Sequence, residues 1–269
     1  MTMPKKSKYR QHAHANPFSV REMTIPSSPS NVNLPAANYV DVGCGYGRFL
    51  LHVAKTRPDK VVYGLEIRKK VYEFVRDKIA ELRKNGVVEK HRSVSGTESK
   101  EIDDTPANTY EGLLVNGTQK EKVDEQQCIR ENGKECVTYE NAHVIRTNAM
   151  LFFLHFFKKR SLEKIFVLYP DPHFKNKKRK ARMVTLQTIQ CFDYCLAEHG
   201  RVYISTDVKE LFTAMIDSFS NCAYFKRLSD SECCSDEFYD AIQIGTDESK
   251  RAGARALVIY SAIYEKRSE

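Results

Sequence analysis

No Cys-x-x-Cys pair occurs among the eight cysteines, Cys44, Cys128, Cys136, Cys191, Cys195, Cys222, Cys233 and Cys234, and no histidine stands at zinc-like spacing from them. Neither a metal site nor a disulfide framework is indicated, and the cysteines read as reduced intracellular thiols. No run approaches the ~20 apolar residues that a membrane-crossing helix needs, and the basic stretch Met1 to Arg10 has no apolar segment of the kind a secretion signal requires. A soluble, non-secreted protein with no membrane partner is expected. Residues 1–38 lack any lasting hydrophobic period and hold five of the nine prolines among Lys, Arg, His and Ser, which reads as a mobile basic arm.

What is present suffices for a core: 269 residues, 41% of them hydrophobic, fit one large α/β domain with appendages. The formal net charge is +8 and the pI about 9.0. The excess gathers in the first ten residues and around residues 175–182, which marks where a polyanion would lie.

From Tyr39 onward the pattern alternates. Tyr39-Val40-Asp41-Val42 reads as a buried strand running into Gly43-Cys44-Gly45-Tyr46-Gly47-Arg48, and Phe49, Leu50, Val53 and Ala54 follow at helical spacing. A second strand ends on Glu66, and Val71, Phe74, Val75, Ile79 and Leu82 mark a helix reaching about Lys84. Residues 86 to about 141 turn polar without a period and read as a long insertion, mostly flexible. Strand character resumes at His143–Arg146, followed by Asn148-Ala149 and a helix-like run to Phe157. Ile165-Phe166-Val167-Leu168 then stops on Tyr169-Pro170-Asp171-Pro172, because proline lacks a backbone donor and fixes φ. A helix over 183–196, a strand Arg201 to Asp207, a helix over 211–219 and two apolar strands near 224–228 and 256–263 complete the domain, 39–269. Strands alternating with helices predict an α/β fold, a mostly parallel sheet with helices on both faces.

In such sheets ligands bind at the carboxyl ends of the strands, where Gly43, Glu66, Asn148, Asp171 and Asp207 all fall. Glycines at 43, 45 and 47 let a ligand approach the backbone, and Glu66, 23 residues after Gly43, is spaced to accept ribose hydroxyls. That describes an adenosine-containing cofactor, dinucleotide or S-adenosylmethionine. Arg48 stands where a dinucleotide fingerprint wants a small residue, which favours S-adenosylmethionine. Lys175, Lys177, Lys178, Arg179, Lys180 and Arg182 read equally as a solvated loop, a nuclear-import signal or a phosphate-binding surface.

The chain resembles the tRNA (guanine-N7)-methyltransferases, in particular the eukaryotic catalytic subunit that works with a WD40-repeat partner. The likeness is carried by His14-Ala15-Asn16-Pro17, Asp41 to Gly47, Gly64-Leu65-Glu66-Ile67-Arg68, Asn148-Ala149-Met150, Tyr169 to Lys175, Thr206-Asp207-Val208 and Gly245-Thr246-x-Glu248. The resemblance implies a Rossmann-like class I S-adenosylmethionine-dependent methyltransferase fold and transfer of a methyl group to N7 of guanine 46 in the tRNA variable loop. It implies cofactor contacts from Gly43, Glu66, Arg68, Asn148, Ala149, Leu168, Thr246 and Glu248, with Asp171 as the active-site acid and Lys175 and Asp207 meeting the tRNA or its guanine. It further implies a heterodimer with the WD40-repeat subunit and a nuclear location, with cytoplasmic presence also open. Other readings of the residues are a methyltransferase of another RNA, a non-catalytic RNA-binding subunit of the same fold, or a dehydrogenase.

Overall fold

The computed structural model describes residues 3–9, 23–85, 87–88, 136–174, 176–254 and 257–268. Lys175, the His14 to Pro17 segment and most of the polar insertion lie outside the described residues. The strands are β1 (Tyr39–Val42), β2 (Val62–Glu66), β3 (Val87–Val88), β4 (Cys136–Val137), β5 (Ala142–Arg146), β6 (Leu162–Leu168), β7 (Leu196–Thr206), β8 (Phe225–Arg227) and β9 (Tyr260–Lys266). The α-helices are α1 (Arg48–Thr56), α2 (Lys69–Asn85), α3 (Ala149–Phe152), α4 (Leu186–Cys195), α5 (Lys209–Ser220), α6 (Asp230–Cys234), α7 (Tyr239–Ile244) and α8 (Asp247–Ala254). The chain divides into a main unit and a second unit, Gly86–Val137. Of that second unit the described part is the antiparallel ladder of β3 with β4, Val87 opposite Val137.

Seven strands form the main sheet in the order β5-β2-β1-β6-β7-β9-β8. β5, β2, β1, β6 and β7 run parallel, and β9 is antiparallel to both β7 and β8. Because helices cover both faces, the central strands are buried and, apart from Asp41 in β1 and Glu66 at the end of β2, apolar there: every residue of β1 and β2 is buried, and Ile165, Phe166 and Val167 of β6 are fully so. The order reverses between β1 and β6, which makes the carboxyl ends of those strands the expected ligand crevice.

Several boundaries move for visible reasons. α4 begins at Leu186 rather than 183, because Thr185 caps it in a reciprocal box with Thr188. β7 starts at Leu196, directly from α4. Within it His199 takes a left-handed φ of 57°, and the pairing with β6 shifts register in that stretch. α6, α7 and α8 have no counterpart in the sequence reading. The main unit also resumes before residue 142: the Asn141 carboxamide donates within 3.0 Å to the carbonyls of Ala54, Arg57 and Lys60.

Over its described parts, the span expected to be a mobile arm is instead held against the domain. Ile25 and Val32 pack on the core, Tyr63 donates to the Pro35 carbonyl at 2.6 Å, and Tyr9 donates to Asp77 at 2.9 Å.

The stretch from α6 to α8 is tied to the sheet by several polar contacts, among them the Ser205 hydroxyl donating to the Ile242 carbonyl at 3.2 Å and Lys164 pairing with Glu237 at 3.2 Å, and the most buried tie is a carboxylate. Asp236, its side chain 1% exposed, accepts from Arg201 at 2.7 Å and Tyr203 at 2.9 Å, and its other oxygen accepts from the Phe238 amide at 2.8 Å. Asp236→Ala removes the acceptor of the Tyr203 hydroxyl and of the Phe238 amide, while Tyr203 keeps its bond from Lys164 and Arg201 keeps Glu265. The expected loss is about 3 kcal/mol of stability. Thermal unfolding checks it, as a Tm lower by roughly 6–12 °C at this chain length.

Candidate functional site

The loop from β1 to α1 is shaped by three left-handed glycines, Gly43 at φ 78°, Gly45 at 54° and Gly47 at 73°. Its start is stitched to β2, as the Gly43 and Cys44 amides both donate to the Leu65 carbonyl, at 2.8 and 3.0 Å. At Gly47 a Cβ would stand 2.8 Å from Val75, so the loop and α2 can be this close only with glycine there. At Gly43 a Cβ would meet nothing within 4 Å: the space beside it is open, and a ligand can reach the backbone.

That space belongs to a shallow, open cleft lined by Asp41, Gly43, Cys44, Tyr46, Arg48, Phe49, Leu168, Thr246 and Asp247. The structure thus brings together Gly43, Leu168 and Thr246 from three distant parts of the sequence. Thr246 is also a helix cap, since its hydroxyl accepts from the Ser249 amide at 2.8 Å while Ser249 Oγ accepts from the Thr246 amide at 3.0 Å. Glu248 lies in the first turn of α8, and its side chain is outside what the structure describes.

Glu66 and Arg68 sit beside the cleft as a pair. Arg68 gives Glu66 its backbone amide at 2.8 Å and two guanidinium donors at 3.0 Å, and the carboxylate is 3% exposed. Burial alone would lower the Arg68 pKa, but Glu66, with smaller contributions from Tyr46 and Asp171, raises it. The guanidinium reaches the glycine loop, 3.9 Å from the position a Cβ on Gly45 would take. Asn148 and Ala149 follow β5; Asn148 caps α3 by accepting from the Met150 amide at 3.1 Å. Glu66, Arg68, Asn148 and Ala149 are at the carboxyl-end rim, although none is among the lining residues of the cleft.

Asp171 follows β6, the strand next to β1. Both ends of its turn are strained: Tyr169 has φ 50° and His173 has φ 45°, left-handed values that cost a non-glycine residue about 1 kcal/mol or more each. Surrounding bonds hold this shape. The Tyr169 amide donates to the Ser205 carbonyl at 2.7 Å, and Arg182 donates to the Pro172 carbonyl at 2.9 Å. In sequence Arg182 belongs to the phosphate-attracting run, but it is 8% exposed and engages Glu210 at 3.1 Å, so its work is structural. The rest of the run forms a 3-10 helix, Asn176–Ala181, with Arg179 and Lys180 exposed. Asp207 stands half-buried after β7, one strand further along, and outside the cleft lining.

Sequence reasoning passes over two acids that line the cleft. Asp41 is 3% exposed, and the signal for it is an acid inside a four-residue run that is otherwise apolar. Asp247 gives no signal, being one charge among several at the head of an unforeseen helix. Cys44, walled in beside Asp41 and Glu66, has a thiol pushed well up by burial and then by those carboxylates, so it is packing and not a nucleophile.

The residues present fit S-adenosylmethionine. A bulky side chain at Gly43 would fill the open space a ligand needs, and buried Glu66 keeps, on Oε2, a lone pair that Arg68 does not use. No group of three or more potential metal ligands occurs among the described residues, and no described helix is long and apolar enough to cross a membrane.

A family model described as "Putative methyltransferase" matches residues 35–93 and 114–262. The tRNA (guanine-N(7)-)-methyltransferase of Drosophila mojavensis is 31% identical to this chain, the alignment covering 97% of it and 92% of that protein. The protein of the same name from Candida albicans is 33% identical over 97% of this chain and 76% of its own length. That from Caenorhabditis elegans is 30% identical over 93% and 83%. Among solved structures, the 16S rRNA methyltransferase KamB aligns over 86% of this chain and 87% of its own, at 10% identity and a TM-score of 0.45. With a methyltransferase model spanning most of the domain and relatives of one name matching nearly from end to end, the chain belongs to the tRNA (guanine-N7-)-methyltransferase family.

Proposed function

We propose that this chain is the catalytic subunit that methylates N7 of guanine 46 in the tRNA variable loop, alongside a non-catalytic WD40-repeat subunit. One observation carries the reading: a carboxylate, Asp171, on a strained turn at the end of the strand beside β1 and its glycine loop, followed by a 3-10 helix on which Arg179 and Lys180 are exposed. S-adenosylmethionine bound in the cleft supplies a methyl group made electrophilic by its sulfonium. Guanine N7 has an in-plane lone pair and no proton at neutral pH, so no residue has to act as a base. Asp171 accepts from the guanine N1–H and N2 amino group, fixes the ring's angle of approach and offsets the positive charge that develops on the base. Glu66 holds the ribose hydroxyls, with Arg68 sharing that carboxylate. Gly43, Asn148, Ala149, Leu168, Thr246 and Glu248 form the rest of the cofactor's surroundings. Lys175 and Asp207 border the path of the RNA, and Phe174, 60% exposed, offers an aromatic face for an unstacked base.

Incubation with labelled S-adenosylmethionine and total tRNA, then aniline cleavage at N7-methylguanine, tests the activity. Label without cleavage at the variable loop would leave a methyltransferase of another position. For the basic segment, reversing Lys177, Lys178 and Arg179 to Glu is expected to weaken tRNA binding at least tenfold and flatten its salt dependence by roughly one log unit for each phosphate no longer neutralised. An unchanged salt slope would remove that segment from RNA binding. The WD40-repeat partner and the nuclear location rest on the family resemblance and the basic composition; affinity purification from the source cells and a fluorescent fusion test them.

A further inference from the structure

The described start of the chain, residues 3–9, reaches the cofactor cleft. Lys6 donates to Asp247 at 2.7 Å, and its ammonium lies 5.1 Å from the centre of the Tyr46 ring. Asp247 and Tyr46 both line the cleft, one from the head of α8 and the other from the glycine loop. Three residues on, the segment is anchored a second time. The Tyr9 ring stands edge-on to Phe74 of α2 at 5.5 Å, and its hydroxyl bonds Asp77. Phe74 in turn contacts Tyr46 at 5.3 Å, which closes a ring of contacts through segment, helix and loop.

We propose that this segment is a strap across the mouth of the cofactor cleft, with Lys6 as a positioning residue that ties Asp247 to Tyr46, so that the strap governs how fast the cofactor is exchanged. The proposal rests on the reading of the cleft as the S-adenosylmethionine site. An ion pair whose cation is 46% exposed is weak alone, which suits a latch that must open. The Asp247 carboxylate, 15% exposed, the Tyr46 face and the Tyr9 anchor together make it more than a passing surface contact. Every turnover requires spent S-adenosylhomocysteine to leave and fresh S-adenosylmethionine to enter, so a tie between two lining elements has to open and close each time.

Chase experiments on bound, labelled S-adenosylhomocysteine test this in the full chain, with its partner subunit if one copurifies. Lys6→Glu and Tyr9→Ala are each expected to speed release about tenfold, although Tyr9 does not itself line the cleft, while Lys6→Arg stays within about threefold of wild type. The KM for S-adenosylmethionine should rise in the two faster-releasing variants, while single-turnover transfer at saturating cofactor holds its wild-type rate. Unchanged release in both Lys6→Glu and Tyr9→Ala would overturn the strap, as would Lys6→Arg releasing as fast as Lys6→Glu. If the wild-type protein binds neither form of the cofactor, the cofactor reading itself fails and the strap with it.

Discussion

Asp171→Asn lowers the rate of methyl transfer to tRNA about 100- to 1,000-fold, with the Tm and the affinity for S-adenosylmethionine near wild type; this is the range for removing one preorganised charge at a reacting centre. Asparagine keeps the size and one acceptor oxygen, but it presents an N–H to the guanine donors and no negative charge to the cation forming on the base. Because N7 needs no deprotonation, the loss should appear in the transfer step and not as a displaced acid–base limb in the pH profile. Single-turnover kinetics with saturating tRNA and cofactor is the measurement. A variant that transfers methyl within about threefold of wild type would take Asp171 out of the mechanism and leave the turn's strain at Tyr169 and His173 without a chemical purpose.

Glu66→Gln is expected to weaken S-adenosylmethionine binding about 100-fold, the loss of the charge that strengthens its hydrogen bonding to the ribose, and to do so with little change in fold. Glu66→Ala goes further. It leaves the Arg68 guanidinium, 19% exposed, without the carboxylate that now takes three of its residue's donors, so both affinity and Tm fall. Calorimetric titration separates the two variants. Should Glu66→Gln bind within about threefold of wild type, the pair with Arg68 is structural and the ribose is held elsewhere.

Much of this was legible in the sequence because the central strands are short apolar runs with hard stops. Pro170 and Pro172 end β6, three glycines end β1, and the acids at those ends stand out against what precedes them. The stretch from 228 to 254 was not legible, since helices of five, six and eight residues contain too few turns to show a period. The sequence reading also passed over Ser229-x-x-Glu232, which is a capping box at the start of α6 in the structure. Charge was the hardest property to read. Arg182 and Arg179 are three residues apart in one basic run, yet Arg182 is buried against a carbonyl and a carboxylate while Arg179 is exposed. Lys6 looks in sequence like any other cation of a basic tail, and nothing there places it at Asp247.

The bond from Arg182 to the Pro172 carbonyl joins the turn bearing Asp171 to the end of the basic 3-10 helix through a buried guanidinium. Under the proposed function, a phosphate that displaced the helix would also pull on the turn that carries the carboxylate. Should the helix bind RNA as proposed, a misaligned tRNA would be held and yet react slowly, and the discrimination would be read in the transfer rate of bound tRNA more than in its affinity.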